Sequence, residues 1–279
     1  MRKILFLGQK PVAEVAWDHL RRGEGDGYRV AAVCSNRQAE GVWWQSNRIH
    51  QSSRGIPFID NCRRNEQILI DTIRECGIDT IVCMQHPWIL SGDLLASVGY
   101  NALNFHHAKL PDYRGYNAVN HAILNRDEKF TCTMHWMTDE VDRGEVALEA
   151  TFDITAADTA ISLYAKSHVA SLRLFERLIS LLGGSGEIPH RPMTGAGRFY
   201  SRQSIEPLRE IKDFSGDEAE VKARAFFFPP FEPAFLRRGG GKLYVLPPCL
   251  KESGFEVKSL GALEAMIEAV GRDFSCEIQ

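Results

Sequence analysis

Residues 3–8 read KILFLG, with four apolar side chains in succession before a glycine. A strand with one wet face alternates polar and apolar residues. An unbroken apolar run is a strand covered on both faces, which implies a parallel sheet sandwiched between helices. The short runs RVAAVCS at 29–35, DTIVCM at 79–84 and NALNF at 101–105 repeat this type. Between them lie stretches of helical period. Residues 11–20 (PVAEVAWDHL) open on Pro, which suits a first helical turn, and residues 65–76 (NEQILIDTIREC) stop at Gly77.

Strands alternating with helices predict an α/β fold: an open, mostly parallel, Rossmann-like sheet with helices on both faces. In such sheets the ligand crevice lies beyond the carboxyl ends of the strands. Met84, Gln85, Asn104 and His106 fall at such ends. Further on, 131–137 (TCTMHWM) and 145–152 (EVALEATF) read as strands. A long helix with a wide apolar stripe is expected over 158–182, with Asp158 as its cap and GGSG at 183–186 as its stop. The first domain is therefore drawn as 1–186. The remainder, 187–279, carries turn signals (PPFEP, RRGGG) and a strand-like piece at 242–246, and is expected to be a smaller β-rich appendage.

Several functions are disfavoured. The 33 Lys+Arg against 36 Asp+Glu give a formal charge of −3, unlike the basic surface of a nucleic-acid coat. No apolar window is long enough to cross a membrane, and the start is too briefly apolar for an export signal. Seven irregularly spaced cysteines, without CxxC, predict reduced thiols in a cytoplasm and no metal site. GxGxxG, GxxxxGK[ST] and GxSxG are all missing.

The densest chemistry is Asn104-Phe105-His106-His107-Ala108-Lys109-Leu110-Pro111-Asp112-Tyr113-Arg114-Gly115. Residues i and i+2 of a strand point the same way, so Asn104 and His106 can face one reacting centre. Asn brings amide donors, and His a donor or proton acceptor near neutral pH. A second piece, Asp139-Glu140-Val141-Asp142-Arg143-Gly144, lies in a turn between two strands, where a carboxylate could orient the imidazole or collect a proton. His107, His121 and His135 are expected to be surface or satisfied core residues, since nothing pairs them at ligand spacing.

These two segments resemble a family. NFHHAKLPDYRG is similar to the N-x-H-x-x-x-L-P-x-x-R-G signature of formyltransferases that use N10-formyltetrahydrofolate, and HWMTDEVDRGEV to their downstream H-x-x-x-x-x-x-D-x-G element. The resemblance runs from Lys3 to about Leu182. It implies the formyltransferase fold, no metal, and Asn104, His106 and Asp142 as the catalytic trio. It also implies that an amine attacks a formyl carbon, that Asn104 and His106 donate to the resulting oxyanion, and that His106 takes a proton with Asp142 behind it. Ala108-Lys109 stands where many members have Ser-Leu, and Arg143 where Thr is common; neither change touches the trio. For the folate, the resemblance points to two loops: Met84, Gln85, Pro87, Trp88, Ile89 and Leu90 on one, and Thr138, Asp139 and Val141 beside Asp142 on the other. Trp88, Ile89 and Leu90 are expected to form its apolar slot.

The acceptor is read from the tail. Segments 197–211 and 222–235, with the following strand, resemble the C-terminal piece of sugar N-formyltransferases, which implies a nucleotide-linked amino sugar as partner. Hydroxyornithine is the next candidate. Methionyl-tRNA is disfavoured because no sustained basic stretch follows the first domain. A folate-binding regulatory protein is the non-enzymatic alternative. Candidate acceptor contacts are Lys10, Tyr113, Arg114, Gly115, Tyr200 and Arg202, with Tyr200 and Arg202 expected on one side of an extended segment. Phe226, Phe227, Phe228, Phe231, Phe235, Tyr244, Val245 and Leu246 form an apolar density expected to join a homodimer, the competing expectation being that they dock on helix 158–182.

Overall fold

The structure is a computed structural model and describes residues 1–37, 47–184, 186–214, 216–248, 270–272 and 274–279. Strands β1 (Arg2–Gly8), β2 (Tyr28–Ser35), β3 (Phe58–Asp60), β4 (Thr80–Met84) and β5 (Ala102–His106) are mutually parallel. Strands β7 (Lys129–Trp136), β8 (Val146–Asp153) and β12 (Glu277–Ile278) extend the sheet antiparallel beyond β5. The order across the eight strands is β12-β8-β7-β5-β4-β1-β2-β3.

The run at 3–8 behaves as its composition demands. Ile4 and Phe6 enter a large buried cluster on one face, while Leu5 and Leu7 enter a second cluster on the other. The second face is covered by α3 (Glu66–Cys76) and α4 (Gly92–Ala96), which supply Leu69, Ile73, Leu94 and Leu95. Gly77 ends α3 in the left-handed region at φ 61°. The first face is covered by α1 (Lys10–Arg22) and the 24-residue α6 (Ala160–Gly183). Phe175 of α6 is fully buried, 6.3 Å from the Phe6 ring and 5.4 Å from the Phe105 ring. It therefore underpins the strand that carries Asn104 and His106.

The cap of α6 differs by one residue from the expected one. Thr159 is the N-cap, in a reciprocal capping box with Ser162. Asp158 instead accepts from Thr155 N and Ser162 Oγ and pairs with Lys166 at 2.6 Å. Its carboxylate organises the loop before the helix.

Beyond Gly183 the chain keeps to the same core. Ile188, Ile205, Ile211, Val221 and Phe226 belong to the first buried cluster. The two-residue strand β9 (Phe199–Tyr200) pairs with β6 (Arg114–Gly115), just before α5 (Ala118–Leu124). Helix α7 (Glu218–Ala225) is tied to α5 by Asn120 Nδ2 donating to Ala225 O, and β10 (Ala234–Arg238) and β11 (Gly241–Val245) form a hairpin. Of the apolar density in this segment, Phe226, Phe227 and Phe235 are buried within the chain. Phe227 packs with Ile161 and Ala165 of α6, and Phe228 lies 5.3 Å from the Tyr164 ring. Phe231, Leu243, Tyr244 and Leu246 stay exposed. Six cysteines are free; the seventh, Cys249, lies outside the described residues. No helix among the described residues is long and apolar enough to cross a membrane.

Truncating Phe175 to Ala removes a buried ring shared by β1, β5 and α6. It should destabilise the protein by roughly 3–5 kcal/mol. In urea unfolding the midpoint should fall while the slope stays constant.

Candidate active site

Asn104 and His106 occupy alternate positions at the carboxyl end of β5. The antiparallel neighbour β7 sets His135 directly opposite Asn104. Its Nδ1–H donates to Trp136 O at 2.9 Å, which leaves Nε2 to accept from Asn104 Nδ2 at 3.1 Å. His106 is fixed from its other side: Nε2–H donates to Tyr113 O at 2.8 Å, so Nδ1 is the nitrogen turned inward.

Asp142 closes the constellation. Its carboxylate lies between the two rings, Oδ2 at 3.7 Å from His106 Nδ1 and Oδ1 at 3.6 Å from His135 Nε2. Gly115 N–H donates to Oδ2 at 3.4 Å, so the Arg114-Gly115 strand also holds this group. The turn that delivers Asp142 is tight: its backbone is left-handed at φ 54°. Two residues on, a Cβ at Gly144 would stand 1.8 Å from Trp136 O. Only glycine lets the chain pass so close, which explains the D-x-G spacing physically.

Asp142 is 9% exposed. Burial alone would push its carboxyl pKa up. The neighbouring imidazoles of His106, then of His135, together with the Gly115 N–H, favour the carboxylate by more than that cost and hold it at about 2. The anion is thus permanent near neutral pH, and a proton arriving on His106 Nδ1 meets a fixed negative charge. Asn104 Nδ2 keeps one N–H beyond the bond to His135.

Next to this centre are the two loops expected to hold a folate. The second is anchored beside α4: a Cβ at Gly92 would lie 2.7 Å from Asp139 Oδ1, and Tyr100 OH donates to the same carboxylate at 3.1 Å. Asp139 is therefore engaged with the start of α4 and with Tyr100. Trp88, Ile89 and Val141 are exposed at 44%, 74% and 42%, and Pro87 is also exposed. Met84 and Leu90 are core residues, one in each buried cluster, so Leu90 is not part of an open apolar slot, and the exposed apolar side chains of the two loops include Trp88, Ile89 and Val141. Thr138 Oγ1 donates to Glu140 O within the turn. In the first loop, His86 Nδ1 is buried without a partner, and burial lowers the ring's pKa to about 4, so it is neutral at pH 7.

Of the other candidates, Lys10 is half-buried and donates to Gln85 Oε1 at 2.8 Å; burial, then the charge of Arg202, pull its ammonium down to about 8. The Tyr113 side chain turns away from the trio, its hydroxyl held by Asp127 and Asn125. Arg114 Nε is buried and unpartnered. Tyr200 and Arg202 do not share an extended face. The strand is only two residues long, and the chain enters a 3₁₀ turn at Arg202. Tyr200 stacks on His121 at 3.9 Å, and Arg202 lies over the Tyr116 ring at 4.8 Å. His135 is the residue that sequence reasoning left out of the site. The seven-residue step from His135 to Asp142 was the available signal.

The chain belongs to the formyl transferase family, whose model matches residues 2–179. Among curated relatives, it is 31% identical over 172 residues to GDP-perosamine N-formyltransferase of Brucella melitensis biotype 1, covering 61% of this chain and 64% of that protein. This chain thus spans less than two thirds of that relative's length. Solved structures share the fold. A 4-N formyltransferase from Francisella tularensis superposes with TM-score 0.69 at 18% identity, covering 88% of this chain and 96% of the other. The N-formyltransferase from Helicobacter canadensis, in complex with folinic acid and dTDP-3-aminofucose, gives 0.68 at 19% identity, covering 87% and 86%.

The depressed Asp142 pKa has a pH consequence. Its folded value lies below its ordinary value of 3.8, so its stabilisation is complete above about pH 4 and is lost as pH falls towards 2. Relative to Asp142→Asn, the wild type should lose about 2 kcal/mol over that window. Parallel urea midpoints for the two proteins between pH 5 and 2 would contradict this.

Proposed function

We propose that this protein is an N-formyltransferase that moves a formyl group from N10-formyltetrahydrofolate to the amine of a nucleotide-linked amino sugar. The observation that carries the reading is the Asp142 carboxylate set between His106 and His135, with Asn104 in cross-strand register beside them. The acceptor class is supported by likeness to the Brucella relative and to the Helicobacter enzyme holding a dTDP-amino sugar.

Residues of the two loops suit a folate in kind: Trp88, Ile89 and Val141 are exposed apolar side chains, and the unpartnered His86 Nδ1 is a neutral polar atom. When bound, the folate supplies a formyl carbon attached to a nitrogen leaving group. The protein's own groups then divide the work. The spare Asn104 N–H donates to the oxygen on which negative charge develops, a contact of about 3–4 kcal/mol in such sites. His106 Nδ1 receives the proton that the attacking amine sheds, and Asp142 stabilises the imidazolium. His135 accepts from the Asn104 amide and so fixes which way that donor points. We assign Lys10, Arg114 and Arg202, the cations among the candidate acceptor contacts, to the acceptor.

We read the exposed residues Phe231, Leu243, Tyr244 and Leu246 as a homodimer contact, and the free cysteines as fitting a cytoplasmic setting.

The test is a screen of dTDP-, UDP- and GDP-linked amino sugars with formyl-folate, scored by mass spectrometry for one added formyl group. Formylation of methionyl-tRNA or hydroxyornithine alone would overturn the acceptor reading. With the sugar that works, Asn104→Ala and His106→Ala should each lower kcat about a hundredfold or more. For the assembly, light scattering should give twice the chain mass at micromolar concentration, and one chain mass for Phe231→Asp combined with Tyr244→Asp. A wild-type monomer would remove the dimer.

A further inference from the structure

Four neighbouring parallel strands each end in a carboxamide at one level. β3, β2, β1 and β4 lie side by side in that order. Their register pairs Asp60 with Ser35, Cys34 with Leu7, and Gly8 with Met84. One step further along the chain, the residues in line are Asn61, Asn36, Gln9 and Gln85. The backbone ladder continues into this level, with Asn61 N–H donating to Ser35 O at 2.9 Å and Gln9 N–H to Met84 O at 3.4 Å. Asn36 Nδ2 donates to Gln9 Oε1 at 3.2 Å, and Gln85 Oε1 accepts from Lys10 Nζ.

Asn61 breaks the pattern of mutual satisfaction. Both its Nδ2 and its Oδ1 are buried without a partner. A buried amide left with an unmet donor and an unmet acceptor lowers stability, and an apolar side chain of the same shape would not. Such a group is retained where something else meets it. What fits a carboxamide is a planar edge that carries a donor and an acceptor side by side, which is the hydrogen-bonding edge of a nucleobase.

Position agrees with that chemistry. From β5, which carries Asn104, to β3 are four strand steps of about 4.8 Å, or about 19 Å along the carboxyl edge of the sheet. A nucleoside diphosphate sugar with its amine at Asn104 is an extended molecule of comparable reach. Its anionic centre then falls near the middle of the row, where Lys10 stands within electrostatic range of Arg202. We propose that Asn61, Asn36 and Gln9 form the subsite that reads the base of the acceptor, with Lys10 facing its diphosphate. The proposal rests on the reading of the acceptor as a nucleotide-linked sugar.

The experiment is calorimetric titration of the full chain with GDP, UDP, dTDP and ADP, set beside the sugar-formylation assay. The wild type should bind one of these diphosphates in preference to the others. Asn61→Leu and Asn36→Ala should each weaken that binding about tenfold or more, with formyl-folate affinity unchanged. Asn61→Leu should also raise Tm, which loss of a structural amide would not do. Should it fail to fold, Asn61→Asp keeps the shape, replaces the amide donor with an acceptor, and should change which base is preferred. If the wild type formylates a nucleotide sugar but these variants bind the diphosphates as it does, the subsite is refuted while the acceptor reading stands. If the wild type neither binds a diphosphate nor formylates such a sugar, the acceptor reading falls and takes the subsite with it.

Discussion

Covering a parallel sheet on both faces leaves polar side chains one place to go. Along β1 and β4 every position from Ile4 to Leu7 and from Thr80 to Cys83 is buried. A charged or amide group inside those strands would be desolvated at a cost of several kcal/mol. The strands therefore carry their polar groups where the covering helices stop. That constraint concentrates Gln9, Asn36, Asn61, Gln85, Asn104 and His106 along one edge, so the chemistry lies at the ends because the core excludes it from the middle.

Electrostatics then sharpens the edge into a centre. Asp142 is held by two imidazoles and a backbone N–H on three different elements: His106 on β5, His135 on β7 and Gly115 on β6. Each ring is locked by a backbone carbonyl on its far nitrogen, Tyr113 O for His106 and Trp136 O for His135. Neither ring can turn without losing a bond at 2.8–2.9 Å. The site is organised before any ligand arrives, the condition under which fixed dipoles do most for a reaction.

How much of this was legible depended on whether the information was local. The both-faces-buried strands and the stripe of α6 announce themselves by period, and the positions of Asn104 and His106 follow from strand alternation. The place of His135 does not. Within its own strand it sits between Met134 and Trp136 and reads as core; only the β5–β7 register sets it opposite Asn104. Asp142 depends on a left-handed backbone and on the closeness of Gly144 to Trp136, neither visible in composition. That Tyr200 and Arg202 do not share one extended face has a related reason: the extended run ends at Tyr200, and the two side chains pack against His121 and Tyr116. The three-residue β3 and the two-residue β12 are too short to carry any period.

Those two short strands have a consequence of their own. They are the outermost strands of the main sheet, and β12 is held on β8 by reciprocal Glu149–Gln279 backbone bonds at 3.0 and 2.9 Å. A long flat border strand is a template on which foreign chains can polymerise; a border of two or three residues offers almost none. The outermost strands of the large sheet therefore offer little template of their own. Inside them the neighbours are longer: β2 meets β3 only from Val33 to Ser35, so a foreign chain pairing with this sheet has the rest of β2, from Tyr28 to Ala32, to begin on.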